Sequence, residues 1–233
     1  MDIDTGSYNR DPAKYKALVE DLYQQYPPIT LPPEYAMFVQ DNLARLLIRL
    51  ARYKFVAKMC RKTDEVLEVG CGSGLGTLFL GQHCRRVVGL DVKGTELQEA
   101  KSINRRANVE FREGDVLEHP DPNRYDVVVA LDVIEHLSEQ DGFRFIESLR
   151  SRVKPTGMVI LGTPSIYSFP YQSPLSQASH VKCYDQQELI SQVDRCFYRV
   201  LAFSMNDEVV HTGFSKLAWY YFILAFIPKE GAQ

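Results

Sequence analysis

The chain has 233 residues, which suits one α/β domain with extra elements and is short for two domains of ordinary size. Hydrophobic residues make up 45% of the chain and charged residues 24%, a composition that can build a sizeable core. The formal net charge of −3 gives no electrostatic reason to expect nucleic acid or an acidic membrane surface as a partner.

The cysteines and the two termini bear on where the protein works. The five cysteines are scattered and form no C-x-x-C pair, which indicates reduced thiols in the cytoplasm. The first residues, 1–6, are acidic and polar, so no secretory signal is expected. The most apolar C-terminal run, residues 217–228, is too short to span a bilayer as a helix. The sequence therefore predicts a cytoplasmic protein without a membrane span.

Two helices are predicted in the N-terminal quarter of the chain. Asp11-Pro12 is typical of a helix start, and Pro27-Pro28 follows the end of that helix. From Pro32 to about Cys60, apolar residues recur at mostly helical spacing, which predicts one long amphipathic helix that packs against the rest of the protein. We interpret residues 1–62 as a helical extension, in which the short tyrosine-bearing helix is a candidate lid.

From Asp64 onward, short apolar runs alternate with helical segments. Strands are predicted at 66–69, 86–91, 109–111, 125–131, 158–161, 198–205 and 220–227. Helices are predicted at 77–84, 95–106, 139–153 and 185–196, with a turn at 154–157. This alternation predicts an α/β domain over residues 63–233, with a mostly parallel seven-stranded sheet and helices on both faces.

A glycine-rich loop joins the first strand to the helix that follows it. Such a loop brings backbone N–H groups and a helix N-terminus close to a ligand. Gly76 and Gly81 have the glycine spacing of a phosphate-binding P-loop, but Gln82 stands where the lysine belongs. A dinucleotide loop, G-x-G-x-x-G/A, fails at Leu75 or at Thr77, depending on the starting glycine. Neither phosphate-binding pattern fits, and the pattern that remains is Glu68-x-Gly70-x-Gly72-x-Gly74.

This loop resembles the nucleotide-binding loop of class I S-adenosylmethionine-dependent methyltransferases. Three motifs in the same order extend the resemblance from Asp64 to about Met205. Asp91 ends the second strand, and Gly114-Asp115-Val116 follows the third. Residues 132–137, Asp-Val-Ile-Glu-His-Leu, look like the motif after strand four in the ubiquinone-biosynthesis-like branch, which modifies small molecules.

The resemblance implies a Rossmann-like methyltransferase fold with S-adenosylmethionine as cofactor and S-adenosylhomocysteine as product. It implies that Asp91 accepts hydrogen bonds from the ribose hydroxyls and that Asp115 lies against the adenine amino group. The other cofactor-binding residues predicted in this way are Glu68, Gly70, Cys71, Gly72, Gly74, Val92, Val116, Leu131 and Asp132.

The acceptor side is predicted in the long segment after strand five. Long irregular loops at the active edge of a sheet are usually functional. His180 and Tyr184 have the His-x-x-x-[Tyr/Phe] spacing seen in the same branch, and we predict that both contact the acceptor together with Thr163 and Tyr167. His180 and His136 are candidate general bases, because histidine titrates near neutrality. A purely structural role stays open for each of these two histidines.

The predicted activity is methyl transfer to a small-molecule acceptor, through O-methylation of a phenol or quinone precursor or of a sugar. N-methylation of an amino sugar or other amine, a non-catalytic scaffold and other S-adenosyl chemistry remain alternatives. DNA amino-methyltransferases carry an Asn/Asp-Pro-Pro-Tyr/Phe motif after strand four, where this chain has residues 130–133, so nucleic acid is not expected as a partner. Asp115 and Asp132 lack a third ligand for magnesium, so no metal is expected. The sequence is compatible with a homodimer.

Overall fold

The computed structural model describes residues 11–118 and 121–230. Contacts divide the chain into two compact units, with the boundary between Leu31 and Pro32. The first unit contains helix α1, Pro12–Gln25, at the place predicted from sequence. The Asp11 carboxylate caps this helix by accepting a hydrogen bond from the backbone N–H of Ala13 at 3.0 Å. A lid role for α1 and a domain boundary at residue 62 stay predictions.

The second unit combines helices with one sheet. Its helices are α2 (Pro33–Asp41), α3 (Leu43–Met59), α4 (Leu75–Leu80), α5 (Gly94–Ile103), α6 (Glu139–Arg152), α7 (Pro174–Ser179) and α8 (Gln186–Asp194). Its strands are β1 (Glu65–Val69), β2 (Arg86–Asp91), β3 (Val109–Glu113), β4 (Tyr125–Leu131), β5 (Val153–Pro164), β6 (Phe197–Asn206), β7 (Val209–His211) and β8 (Tyr220–Pro228). Short 3-10 turns lie at Ile134–His136, Ile166–Tyr171 and Ser215–Leu217.

The strands form one sheet in the order β3-β2-β1-β4-β5-β8-β6-β7. Strands β1 to β5 pair in parallel, whereas β8 lies antiparallel between β5 and β6. The prediction of a mostly parallel α/β sheet is confirmed, but the predicted number of strands is wrong, because the sheet has eight strands within the described residues. The additional strand, β7, has three residues and pairs only with β6, which is too short a run to give a periodic signal.

The single long helix predicted from Pro32 to Cys60 is interrupted. Asn42 separates α2 from α3 and has an extended backbone, with φ −157°. Its side-chain oxygen accepts a hydrogen bond from the backbone N–H of Arg45 at 3.3 Å. An asparagine that caps the next helix in this way competes with the continuous helical backbone, which explains the break.

Other boundaries also differ from the prediction, two of them with a visible cause or consequence. Helix α4 ends at Leu80 rather than at Cys84. Residues 154–157, predicted as a separate turn, lie within β5, which begins at Val153. The pairing of β4 with β5 jumps there from Tyr125–Val153 to Val127–Met158, so the four residues form an irregularity in the register.

Hydrophobic clusters lie on both faces of the sheet, which confirms the predicted layers. One cluster packs α6 and α8 against the strands through Phe145, Leu149 and Leu189. The other packs α3, α4 and α5 through Val56, Leu80 and Leu97. The central strands therefore bury side chains on both faces, as parallel strands do.

The strand order reverses between β1 and β4, which are adjacent in the sheet but separated in the chain by β2 and β3. In open α/β sheets, ligands bind outside the carboxyl ends of the strands at this kind of switch point. The glycine loop follows β1 and the 3-10 turn Ile134–His136 follows β4, so both lie at that edge. Across the residues that the structure describes, none of the helices has the length and apolar character needed to cross a bilayer.

Candidate functional site

The glycine loop follows β1 in a backbone conformation that requires glycine. Gly70, Gly72 and Gly74 have φ values of 75°, 51° and 80°. A Cβ atom on Gly70 would lie 2.3 Å from a methyl of Val133, and one on Gly74 would meet Phe111 at 2.6 Å. Packing therefore fixes the first and third glycines. At Gly72 an added Cβ would meet the end of the flexible Glu96 side chain at 3.0 Å, so the positive φ is the stronger reason for glycine there.

Asp91 ends β2 directly beside this loop. One of its carboxylate oxygens accepts a hydrogen bond from the Gly72 N–H at 2.8 Å, and the other accepts from the Lys93 N–H at 2.9 Å. Each oxygen retains a further lone pair for a ligand hydroxyl. The next residue, Val92, exposes 59% of its surface, an unusual position for a valine that follows a buried strand. A carboxylate and an exposed apolar side chain thus stand side by side at the predicted ribose and adenine position.

The loop after β3 supplies Asp115 and Val116. The Asp115 carboxylate accepts a hydrogen bond from the Leu117 N–H at 2.8 Å, which forms a local turn. Val116 is 7% exposed and belongs to one of the core clusters, as does Leu131 at the end of β4. Cys71 is likewise buried, next to the backbone of Gly89. Val116, Leu131 and Cys71 therefore pack beneath the site, and little of their surface is exposed.

Glu68 is a buried carboxyl within β1. It accepts hydrogen bonds from the Tyr53 hydroxyl of α3 at 2.7 Å and from the Thr77 hydroxyl of α4 at 2.6 Å. Burial raises the pKa of Glu68 to about 7, although the two hydroxyl donors act in the opposite direction. Glu68 therefore connects both helices that flank the glycine loop, and its charge is poised near neutral pH.

Asp132 follows β4 and is paired with an arginine from α3. Its backbone is left-handed, with φ 58°. The Arg52 guanidinium donates to both Asp132 carboxylate oxygens, at 2.8 and 2.7 Å, and lies 3.9 Å from the centre of the Tyr220 ring. Burial favours a lower pKa for Arg52, but the Asp132 charge and Tyr220 outweigh it and the pKa is raised. This ion pair closes one side of the edge where the loops after β1 and β4 meet.

A second polar cluster lies further along the same turn. One ligand-capable atom each from Glu135, His136 and His180 lies within 4.8 Å of the others. The Glu135 carboxylate accepts a hydrogen bond from the Thr163 hydroxyl at 2.9 Å, and the two imidazole rings meet edge to face at 5.1 Å. Burial raises the pKa of the Glu135 carboxyl, and burial with the neighbouring His136 lowers the pKa of His180.

The two predicted tyrosines take different positions. Tyr167 is 39% exposed, and its hydroxyl donates to Asp185 at 2.9 Å. Tyr184 is fully buried in the core cluster that contains α6 and α8. The structure thus brings His136, Thr163 and His180 together, whereas Tyr184 is part of the packing beneath the segment that carries His180.

Sequence reasoning did not identify Arg52, Tyr53 and Tyr220 as site residues. The signal available for Arg52 was its position between apolar residues of a helix that packs on the sheet. Arg52 is 80 residues from Asp132 in the chain, however, so local spacing could not reveal the pair. Glu135 stood inside the recognised hexapeptide, but nothing in the sequence marked it as buried beside two histidines.

The arrangement defines a class of protein. A Rossmann-like sheet presents a glycine loop after β1 and carboxylates after β2, β3 and β4 at one edge. These groups fit S-adenosylmethionine, because Asp91 keeps free lone pairs beside the glycine loop and Val92 offers an apolar face. The fold and this order of motifs are those of class I S-adenosylmethionine-dependent methyltransferases, as the resemblance predicted.

Comparison with known proteins agrees with this class. Residues 66–157 match the family profile described as a methyltransferase domain. A protein of Mycolicibacterium smegmatis named as a "probable S-adenosylmethionine-dependent methyltransferase" is 35% identical over 118 residues, which cover 50% of this chain and 44% of that protein. The ubiquinone biosynthesis O-methyltransferase of Rickettsia conorii is 30% identical over 133 residues, which cover 55% of this chain and 45% of that enzyme.

Among solved structures, a complex of DhpI with SAH has a TM-score of 0.57 and 18% identity, and covers 95% of each chain. That likeness concerns the fold. The aligned regions span less than half the length of each of the two relatives named above.

Proposed function

We propose that this chain transfers a methyl group from S-adenosylmethionine to the hydroxyl of a small molecule. The observation that carries the proposal is the hydrogen bond from the Gly72 N–H to Asp91, which holds a carboxylate against the glycine loop. The match of residues 66–157 and the similarity to an O-methyltransferase support the same conclusion.

On the donor side, each group has a role that its position supports. Asp91 would bind the two ribose hydroxyls, and Val92 would cover one face of the adenine. Asp115 would accept a hydrogen bond from the adenine amino group, with Val116 behind it. The loop glycines Gly70, Gly72 and Gly74 and the strand-end residue Asp132 would surround the methionine part, and the buried residues Glu68, Cys71 and Leu131 would support them from beneath. The bound cofactor supplies a methyl group that its sulfonium already activates.

The protein must then align an acceptor oxygen with the S–CH3 bond and exclude water. Proximity and orientation of this kind can contribute about 7–11 kcal/mol to lowering a barrier. Thr163 and His180 lie in the cluster next to the turn after β4, and Tyr167 is exposed nearby in the chain. His180 would be the general base or a neighbour of it, because its lowered pKa keeps the imidazole neutral and able to accept a proton at pH 7. His136 is the alternative base.

A small-molecule acceptor is favoured over nucleic acid by the net charge of −3. Methylation of an amine, a scaffold role and other S-adenosyl chemistry are the competing functions. We place the protein in the cytoplasm, where S-adenosylmethionine and reduced cysteines are both found. The mass of the protein in solution would show whether it forms a homodimer.

Calorimetric titration with S-adenosylhomocysteine tests the donor site. The parent chain is expected to bind one equivalent, and Asp91→Ala is expected to bind at least roughly tenfold more weakly because one charge-assisted hydrogen bond to each hydroxyl is lost. Glu208→Ala, which removes an exposed carboxylate between β6 and β7, is the matched control and should bind as the parent does. Equal affinities for the parent and Asp91→Ala would remove the basis of the proposal.

A labelled-methyl transfer screen against phenols, sugars and amines then identifies the acceptor. Transfer to a hydroxyl supports the proposed function. Transfer only to amines replaces it with N-methylation, and binding of the cofactor without any transfer supports the scaffold alternative.

A further inference from the structure

Two of the five cysteines are in contact and have no role in the proposed methyl transfer. Cys60 directly follows α3, and Cys84 lies between α4 and β2. Their thiols are hydrogen-bonded to each other. Cys84 belongs to the core cluster on the α3 side of the sheet, and Cys60 packs against that cluster. All five cysteines lie in the described part of the chain, and the other three have no thiol as a hydrogen-bond partner there.

We propose that Cys60 and Cys84 are a reversible modification site, at which an anionic small-molecule disulfide such as oxidised glutathione converts the two thiols into an intramolecular disulfide. The bond would enclose β1, the glycine loop and α4 in one covalent loop, because all three lie between the two cysteines in the chain. The proposal depends neither on the methyl acceptor nor on the cofactor.

Backbone hydrogen bonds hold the segments of the two cysteines together. The carbonyl oxygen of Asp64 accepts hydrogen bonds from the N–H groups of Arg85 and Arg86, at 3.0 and 3.4 Å. The Asp64 carboxylate accepts one from the Arg61 N–H at 2.7 Å. The turn after Cys60 is therefore attached to the residues after Cys84. A disulfide needs its two Cβ atoms about 3.5–4.5 Å apart, and contacting thiols on attached segments reach that geometry by small side-chain rotations.

The hydrogen bond between the thiols also activates the pair. It lowers the pKa of the Cys84 thiol, because the Cys60 S–H donates to the thiolate that forms there. The same bond, together with burial, raises the pKa of Cys60. A small reagent reaches Cys60 first, since Cys60 is half-buried whereas Cys84 is only 7% exposed. The proton between the two sulfurs can pass to Cys84, which leaves the thiolate on Cys60.

Basic side chains beside the pair favour an anionic reagent. Each cysteine is followed by two of them, Arg61-Lys62 and Arg85-Arg86. Three of these four side chains are exposed. The acidic residues in the same turn are Asp64 and Glu65, and Glu65 is paired with one of the arginines at 2.8 Å. Positive charge beside a thiol stabilises its thiolate and attracts a negatively charged disulfide.

Two exchange steps complete the reaction. The Cys60 thiolate attacks one sulfur of the small disulfide, so that a mixed disulfide forms and one small thiolate leaves. The Cys84 thiolate then attacks the Cys60 sulfur, which breaks the mixed disulfide and releases the second small thiolate. The two protein thiols are oxidised, the small disulfide is reduced to two thiols, and these take up the two protons that the protein loses. A dithiol reductant reverses both steps.

The disulfide is expected to act on stability and to leave the cofactor site unchanged. Both cysteines precede a strand, whereas the glycine loop follows β1, so the pair and the loop lie at opposite edges of the sheet. The strand of five residues between these edges is about 16 Å long. Closing a loop of about 25 residues restricts the unfolded chain, and the midpoint of thermal unfolding should rise by roughly 5–15 °C.

The test incubates the native full-length chain with oxidised glutathione at neutral pH, blocks the remaining thiols with an alkylating reagent and measures the intact mass. The parent is expected to lose two hydrogen atoms and to retain no glutathione. Fragmentation of the linked tryptic peptides should place the bond between Cys60 and Cys84, and it excludes Cys71, which lies in the same peptide as Cys84. Dithiothreitol should restore the original mass.

Three variants, each checked for folding by circular dichroism, test the order of the steps. Cys84→Ser should retain one glutathione on Cys60, because no second thiol is present to resolve the mixed disulfide. Cys60→Ser should form neither product. Cys196→Ser removes a buried thiol outside the pair and should form the disulfide as the parent does. A parent that forms no internal disulfide, or a Cys84→Ser variant that still forms one, overturns the proposal.

Salt and temperature test the other two parts of the proposal. Added salt should slow the reaction with oxidised glutathione and leave the reaction with the neutral bis(2-hydroxyethyl) disulfide unchanged. Equal salt dependence would refute the role of the basic side chains, and an unchanged unfolding midpoint would refute the stabilising effect. The oxidised and reduced parent should bind S-adenosylhomocysteine equally well. Failure of the disulfide to form leaves the proposed methyl transfer standing, and failure of the nucleoside to bind leaves the disulfide standing.

Discussion

The ion pair between Arg52 and Asp132 gives the sharpest test of the packing at the site. The guanidinium makes two hydrogen bonds to the carboxylate, and the two side chains are only 20% and 19% exposed. Removing one partner of a buried pair costs about 3–5 kcal/mol, because the other charge is left without compensation. Since both side chains keep some contact with solvent, we expect Arg52→Met to lower the free energy of unfolding by about 3 kcal/mol, at the low end of that range.

The same pair predicts a strong coupling. Asp132→Asn keeps a side chain that tolerates the left-handed backbone at φ 58°, while it removes the charge. In the double variant no charge is stranded, so the two losses should not add, and a coupling energy of roughly 2 kcal/mol is expected. Urea unfolding of the four proteins, followed by far-UV circular dichroism, gives all terms of the cycle.

Arg86 and Glu110 provide the matched control. They form the same type of arginine–carboxylate pair at 2.7 Å, but their side chains are 41% and 46% exposed. Arg86→Met should therefore cost only about 0.2–1 kcal/mol, because the pair is exposed and Glu110 keeps its two hydrogen bonds to Arg112. If Arg52→Met is no more destabilising than Arg86→Met, or if the cycle shows no coupling, the argument that burial makes the Arg52–Asp132 pair significant is wrong.

Three further predictions concern stability. The pKa of Glu68 is about 7 in the folded chain and 4.5 as its ordinary value, so between these pH values the folded state binds more protons than the unfolded state. The free energy of unfolding should therefore fall by about 3 kcal/mol as the pH rises from 4.5 to 7. Glu68→Gln should reduce the slope measured by urea unfolding by that amount, with Glu135 accounting for a further fall of the same sign, and an unchanged slope would contradict the assignment. Gly70→Ala should lower the free energy of unfolding by about 2–4 kcal/mol, because its Cβ would lie 2.3 Å from a Val133 methyl and its φ is positive. Adding Val133→Ala to the same chain should recover part of the loss. Thermal unfolding that shows no recovery would exclude the clash. Asn42→Ala should cost about 1 kcal/mol in the same assay if its side chain caps α3, and no loss would argue against the cap.

The predictable part of the site consists of residues whose role is visible in their local sequence. Gly70, Gly72 and Gly74 follow an apolar run, and Asp91 ends the next one, so their placement at one edge follows from parallel strand topology. The edge itself could be predicted because five parallel strands with intervening helices leave few alternative arrangements.

The remaining part depends on contacts that no local pattern encodes. Arg52 reaches Asp132 across 80 residues, and Tyr53 reaches Glu68 across 15. The break between α2 and α3 depends on the hydrogen bond that the Asn42 side chain accepts from the Arg45 N–H. The apolar spacing is helical on both sides of Asn42, so it gave no sign of the break. Glu135, His136 and His180 become a cluster only because the backbone of Val181 and Lys182 is bonded to Glu135, and that contact also crosses more than 40 residues.

One turn joins the two halves of the proposed active site. The left-handed residue Asp132 directs its carboxylate to Arg52 of α3, and Glu135 and His136, three and four residues later, meet His180 from the segment after β5. The distance between the proposed cofactor site at Asp132 and the proposed acceptor site at Glu135 and His136 is thus set by a few backbone bonds within one turn. Because methyl transfer depends mainly on alignment, a short rigid connection of this kind is what the chemistry requires of the scaffold. It also means that Asp132 affects both sides, since its charge acts on the pKa of Glu135 and of His180.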